Sequence, residues 1–270
     1  MRMLDRLIPV AALGGSAPRA RSRGFSPDQG AEPQEYREYS EVRQRRAGGK
    51  GPASTRSDFR QGLLWLVLLL ASPLSAADRE VTEWSETGFV DLFNGKDLNG
   101  WQTTGNWIVE DGVVTLHPRE GEEGWQRYDA YLTTEKTYRN FVLEVEFTFE
   151  PEGNSGVFLR VGDLEDHVSS GLEVQILDSH QLEKPGHHDG GGIIRATAPF
   201  TNAVKPAGQW NTYQIVVVGS HLVAFLNGEL IQALDLARSP MKNRPMAGHI
   251  SFQDEAKVVS YRKIRIKELD

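Results

Sequence analysis

The chain has no cysteine among its 270 residues. Neither a disulfide framework nor thiolate chemistry is available to it, so its fold must rest on its own core. It also lacks an apolar run able to cross a bilayer, which takes about 20 residues. The longest run, at residues 63–71, is less than half that length. Segments of helical period are scarce. Positive charge is in short supply as well, with a net charge of −7. Residues 1–77 hold 12 Lys and Arg against 7 Asp and Glu, which leaves 18 against 30, a net −12, for residues 78–270. So acidic a surface argues against nucleic acid and against anionic membrane as partners.

The short apolar run follows Arg56 and Arg60 and precedes Ser75, Ala76 and Ala77. A basic stretch, an apolar stretch and small residues at a cleavage point make up a secretory signal peptide. The expected product is therefore exported, periplasmic or extracellular, with residues 59–77 removed near Asp78 and no stable membrane anchor. Residues 1–58 are rich in Arg, Gly, Ser and Pro and show no apolar period, a composition expected to stay disordered. Translation is expected to start near residues 58–64, the preceding leader being a misassigned start. The remainder, residues 78–270, is long enough for one domain with a full core.

What that remainder does contain is strand signal, recurring roughly every ten residues, which predicts an all-β sandwich or barrel. The clearest case is residues 141–149, where five apolar residues face one way and Glu144 and Glu146 the other. Asn227-Gly228 and Asp111-Gly112 supply the pair of positive-φ positions of tight hairpin turns. Further strands are expected at residues 89–93, 107–109, 113–116, 130–133, 213–218 and 258–266. In the last, the apolar phase slips between Tyr261 and Ile264, which predicts a bulge. Residues 179–209 show no period and hold three prolines, Gly190-Gly191-Gly192 and three histidines. A loop of that length inside a domain is usually functional.

Three strands alternate so as to place polar side chains on one face. Residues 171–178 bury Leu172, Val174 and Ile176 and show Glu173 and Gln175. Residues 155–161 bury Val157, Leu159 and Val161 and show Phe158 and Arg160. Residues 249–254 bury Ile250 and Phe252 and show His249, Ser251 and Gln253. If these strands are neighbours, one face gathers planar polar groups around an aromatic ring, an inventory that suits a sugar. Trp125, in the Glu- and Gly-rich loop 118–127, is a further stacking candidate, since an indole is amphipathic. Trp101, Trp107 and Trp210 read as core residues. Asn154 reads either as a turn residue or as a ligand contact.

Several motifs, in order, resemble one family. They are Gly88-Phe-Val-Asp-Leu-Phe-Asn-Gly-Lys-Asp-Leu-Asn-Gly-Trp101, Trp107-Ile-Val-Glu-Asp-Gly112, Gly153-Asn-Ser-Gly-Val-Phe-Leu-Arg160 and Gly171-Leu-Glu-Val-Gln-Ile-Leu-Asp178. Lys205-Pro-Ala-Gly-Gln-Trp-Asn211, Leu226-Asn-Gly228 and Tyr261-Arg-Lys-Ile-Arg-Ile-Lys-Glu-Leu269 complete the set. The chain thus resembles the 3-keto-disaccharide hydrolase domain family over residues 88–269. One departure stands out. Where many members carry a Gly-x-x-Tyr-Gly segment, this chain has Gly192-Ile-Ile-Arg-Ala-Thr-Ala-Pro199.

The resemblance implies a concanavalin-A-like jelly roll of two antiparallel sheets, exported, acting on glycosides whose C3 hydroxyl has been oxidised to a ketone. In such a sugar the C2 hydrogen is acidic and the C1–O bond lies β to the carbonyl. A base, an acid for the leaving oxygen and donors for the enolate oxygen are then required. Glu173 is the candidate base, Arg160 the enolate clamp, and Asp178 or His180 the acid. Gln175, Gln253, Asp254, Asn154, Phe158 and Trp125 are the candidate substrate contacts. A non-catalytic, lectin-like module is the alternative on the same fold. Glu173-x-Gln175-x-x-Asp178 also resembles the Glu-x-Asp-x-x-Glu motif of laminarinase-type glycosidases. The central acid is an amide and the last acid is shortened, which spoils the carboxylate spacing that retention needs.

His180, His187, His188, Asp178 and Asp189 have metal-ligand chemistry. None forms a helical ligand pair, and a polar surface loop is the expected role. A divalent ion such as Ca²⁺ is compatible with the fold, but no residues single out its place.

Overall fold

The computed structural model describes residues 87–269. The expected leader (1–58), signal segment (59–77) and cleavage point near Asp78 lie outside the described residues. In chain order the strands are β1 (Val90–Asp91), β2 (Trp101–Gln102), β3 (Trp107–Glu110), β4 (Val113–Leu116), β5 (Leu132–Thr134), β6 (Phe141–Phe149) and β7 (Asn154–Val161). They continue with β8 (Leu172–Leu177), β9 (Asn211–Val218), β10 (His221–Leu226), β11 (Glu229–Asp235), β12 (His249–Phe252) and β13 (Val259–Glu268). A four-residue helix, α1 (His167–Ser170), stands between β7 and β8. An eight-stranded sheet runs β11-β10-β9-β6-β13-β4-β3, with β1 on β13, and a five-stranded sheet runs β2-β5-β12-β7-β8. The two sheets pack as a concanavalin-A-like jelly roll.

The alternation of β6 works as its sequence predicts. Phe141, Leu143, Val145, Phe147 and Phe149 enter one core with Val157 and Leu159 of β7 and Leu172, Val174 and Ile176 of β8. On the outer side, Glu144 and Glu146 meet cations of β13. Arg265 Nη2 lies 2.8 Å from Glu144, and Arg262 Nε lies 2.7 Å from Glu146. These are cross-strand neighbours by register, which is where opposite charges help a sheet. The register of β13 slips between Arg262 and Arg265, with Lys263 at φ 47°. That slip is the expected bulge. Both expected hairpin turns form, with Asp111 and Gly112 at φ 49° and 79° and Asn227 and Gly228 at 54° and 82°.

Candidate functional site

The site lies on the face of the five-stranded sheet that points away from the core. Backbone register sets a row across all five strands. Gln102 of β2 pairs with Thr133 of β5, and Thr133 with Ser251 of β12. Ser251 pairs with Phe158 of β7, and Phe158 with Glu173 of β8. A second row holds Gln253, whose N–H donates to the Gly156 carbonyl, and Gln175, which pairs with Gly156. The period-2 pattern therefore does bring Glu173, Gln175, Phe158, Ser251 and Gln253 together.

Glu173 is the chemical centre of this face. Only 5% of it is exposed. Burial first, then the charge of Glu255, pushes its carboxyl well above the usual carboxylate range, while the Arg195 guanidinium pulls the other way. The side chain leans across β7. A Cβ on Gly156 would stand 2.4 Å from Glu173 Oε1, so only glycine leaves room for the carboxyl there. With its amide nitrogen turned to the surrounding acceptors, Gln175 donates to Glu173 Oε1 at 3.2 Å and to the Ser155 carbonyl at 2.8 Å. Its amide also meets the Asn154 side chain at 3.0 Å. Asn154 thus orients Gln175, which in turn orients Glu173.

Arg160 does not join this face. Residues 158–161 of β7 oppose only residues 249–251 of β12, so β7 carries a bulge, with Arg160 at φ 54°. One extra residue inverts the alternation beyond it. Arg160 turns between the sheets and is fully buried. Its Nε donates to the Arg139 carbonyl at 2.7 Å and its Nη1 to the Gly219 carbonyl at 2.8 Å, with Nη2 3.3 Å from Asn140 Oδ1. Burial, then the Arg139 charge, draws it down to about 10, which leaves it charged at neutral pH. The guanidinium expected on the substrate ties two turns of the larger sheet to β7 instead. Val161, expected in the core, takes the outer side, where its Cγ2 and Phe158 Cδ1 crowd Gly171.

Asp178 and His180 also stand apart from Glu173. Asp178 is five residues further along the strand, roughly 16 Å at the usual rise. Its Oδ2 accepts from the Glu152 N–H at 3.0 Å and its Oδ1 meets His180 Nδ1 at 2.9 Å. That pair closes the β6–β7 turn, where Glu152 has φ 64°.

Asp254 is completely buried and is held by Arg127 Nη2 at 2.5 Å and by the Ala256 N–H at 2.9 Å. Arg127 also meets Glu122 at 2.9 Å, so Asp254 anchors the loop that carries Trp125. Burial leads in raising the Asp254 carboxyl, opposed by the Ala256 N–H and Arg127. Removing the cation by Arg127→Ala strands a buried carboxylate, and a loss of about 2–3 kcal/mol is expected. Chemical denaturation measures it, and hydrogen exchange should rise first at residues 119–127. A variant as stable and as protected as the parent would show that the ion pair does not hold the loop.

Sequence reasoning missed several neighbours. Tyr131 and Thr133 flank Leu132 in the strand expected at 130–133, so the same period-2 rule could have found them. His167 and Tyr128 come from outside the strands and carry no such signal. Tyr128 stacks on His167 at 5.3 Å and 18°, and Tyr131 meets His167 edge-on at 4.8 Å and Phe158 at 5.7 Å. Trp125 completes the cluster against Tyr128 at 6.0 Å. It is 9% exposed, and its carbonyl accepts from the Tyr131 hydroxyl at 2.8 Å.

The segment expected to be a polar surface loop is laid along β8 instead, with His188 and Asp189 buried. Gly191 N–H donates to the Gln175 carbonyl, Gln175 N–H to the Gly192 carbonyl, and Ile194 N–H to the Glu173 carbonyl, at 2.9, 2.9 and 3.1 Å. Arg195, at φ 61° with its N–H on His187 Nδ1 at 3.1 Å, follows the Ile194 that bonds the Glu173 carbonyl, and its charge is felt at the Glu173 carboxyl. It occupies the segment in which the sequence departs from the family pattern. Asp189 Oδ2 accepts from the Gly186 N–H at 2.6 Å, a turn-forming role. Among the described residues, no group of three or more His, Asp or Glu side chains is arranged to hold a metal ion. Nor is any helix among them long and apolar enough to cross a membrane.

Comparison with known proteins agrees with this architecture. A 3-keto-disaccharide hydrolase of Bacteroides thetaiotaomicron is 26% identical over 229 residues, 68% of this chain and 79% of that protein. Two candidate glycosyl hydrolases of Parabacteroides distasonis superpose with a TM-score of 0.57 each. One is 25% identical and covers 67% of this chain and 99% of its own. The other, at 23% identity over 73% of this chain and 99% of its own, speaks to the fold alone. The model of the 3-keto-alpha-glucoside-1,2-lyase-like domain matches residues 88–267, two thirds of the chain, and the protein belongs to that family.

Proposed function

We propose that this protein cleaves the glycosidic bond of 3-keto-glycosides, with Glu173 as the base that opens the reaction. One observation carries the reading most. A nearly buried carboxyl of raised proton affinity, within reach of the Arg195 charge, stands on a polar, aromatic-lined sheet face. Such a group suits proton transfer near neutral pH. Glu173 takes the proton from C2, and the electron pair of that C–H bond moves into the C2–C3 region as the C3 oxygen becomes an enolate. Arg195, in place of the expected Arg160, offers the enolate positive charge, with Gln175 and Gln253 as neighbouring amides. The enolate then expels the C1 oxygen, which takes the proton that Glu173 removed from C2 and so returns the carboxyl to its ionised form. Water added across the resulting double bond completes a net hydrolysis. The family and the relative's name favour this substrate class. The signal-like residues 59–77 favour an exported site of action, which N-terminal sequencing of the secreted product tests.

Incubation with a 3-keto-disaccharide and with its unoxidised parent tests the chemistry. Release of 3-keto-glucose from the oxidised sugar only is expected. Binding without release from either would assign the protein to the non-catalytic, lectin-like class.

The seat of Glu173 is open to a finer test. Gly156→Ala puts a methyl group against Oε1 and Cγ of Glu173 and should push the carboxyl off its place. A fall in kcat of about 10²-fold is expected, since a displacement of about 1 Å suffices for that. The melting temperature should fall by only a few degrees, because a side chain and not backbone must move. Unchanged turnover would mean that the carboxyl is not used where it stands.

A further inference from the structure

We propose that a groove on the β2–β5 side of the same face seats the second ring of the substrate, the part that leaves with the glycosidic oxygen. Its rim residues Gln102, Thr104 and Asp129 then set which leaving group is accepted. This rests on the function proposed above and goes beyond it by assigning the leaving-group site.

The groove encloses about 380 Å³ and is lined by Gln102, Thr104, Tyr128, Asp129, Tyr131 and His167 among others. Small-molecule sites start near that size, about 300 Å³. Its position follows from the sheet. Because the Glu173 carboxyl leans over β7, the β5 end of the row is two strand spacings away, roughly 10 Å. That is the reach of two linked pyranose rings. Tyr128 belongs to the groove, its ring stacked on His167, and is near enough to feel the charges of Arg195 and Glu173. A stacked, half-buried ring is the apolar platform on which the C–H face of a sugar lies. Burial holds His167 neutral, down to about 4, so the wall beneath that platform carries no positive charge.

The polar inventory selects the ligand class. Gln102 is exposed, and its side-chain amide makes no hydrogen bond among the described residues. Thr104 donates to Asp129 Oδ2 at 3.0 Å, which fixes the carboxylate and leaves Oδ1 to accept. Glu165 adds a second carboxylate to the lining. Two carboxylates and an amide take hydroxyl donors and repel anions, so the fitting occupant is a neutral polyhydroxylated ring and not a uronate.

Gln102→Trp fills the rim from an exposed position and should leave the fold intact. For a 3-keto-disaccharide it should raise KM about tenfold with kcat nearly unchanged. For methyl 3-keto-glucoside, which has no second ring, kcat/KM should move less than about twofold. Equal changes on both substrates, or none on the disaccharide, would overturn the assignment. If the parent protein turns over neither substrate, the function proposed above fails separately. The groove is then read by NMR titration of the full protein with the unoxidised disaccharide. Shifts at Tyr128 and His167 that vanish in Gln102→Trp support it, and their absence in the parent protein refutes it.

Discussion

Glu173→Gln is expected to lower kcat/KM on a 3-keto-disaccharide by about 10²–10⁴-fold, the usual worth of a positioned general base. The amide keeps the shape and cannot accept the C2 proton. Fold stability gives the control. The carboxyl is raised above its ordinary 4.5 because the folded state favours its protonated form. Its contribution is therefore full below 4.5 and fades as pH climbs through the higher folded value. A permanently neutral amide should thus melt no lower than the parent at neutral pH. Loss of turnover with an unchanged or raised Tm would separate chemistry from folding. Full activity in Glu173→Gln would remove Glu173 from the mechanism.

The same shift predicts a pH profile. A base works ionised, so kcat/KM should rise with pH along a limb placed above the usual carboxylate range. Arg195 pulls the Glu173 carboxyl down. Arg195→Gln should therefore move that limb further toward alkaline pH and also weaken kcat, if the guanidinium meets the developing enolate. A limb that stays in place would show that Arg195 does not act on Glu173.

The largest stability effect is expected at Arg160. Arg160→Met keeps much of the aliphatic bulk but withdraws the hydrogen bonds to the carbonyls of Arg139 and Gly219 and to Asn140. Charge-assisted bonds are worth about 1.5–3 kcal/mol each, and orphaned buried acceptors add their desolvation. A loss on the order of 3–5 kcal/mol is expected, or roughly 10 °C in Tm for a domain of this size. Had Arg160 clamped the substrate, the same variant would keep its Tm and lose only KM or kcat. Thermal melting beside kinetics on the surviving folded fraction distinguishes the two.

Most of the scaffold was legible because strand period and turn chemistry are local. β6 runs over the residues its alternation marks, and the two positive-φ pairs make the hairpins they predict. The slip in β13 could be read because apolar residues stand on both sides of it, at Tyr261 and Ile264. The bulge in β7 left no such trace. Leu159, Arg160 and Val161 look like continued alternation, and only pairing with β12 shows that one residue is extra. Alternation alone therefore puts Arg160 on the wrong face. Asp178 gives no local sign of its role, because a carboxylate after a strand reads alike whether it meets substrate or caps the neighbouring turn.

Which residues point inward and which outward in each uninterrupted strand is written in the chain, since side-chain direction follows from a two-residue repeat. The same repeat lets Glu173, Gln175, Phe158 and Gln253 share a face. Tertiary packing selects the cation whose charge reaches the acid, Arg195 and not Arg160. It also decides that Tyr128 and His167, from a loop and a short helix, wall the groove. These depend on pairing register and on loops laid against strands far away in the chain, contacts whose energy comes from partners that no local pattern encodes.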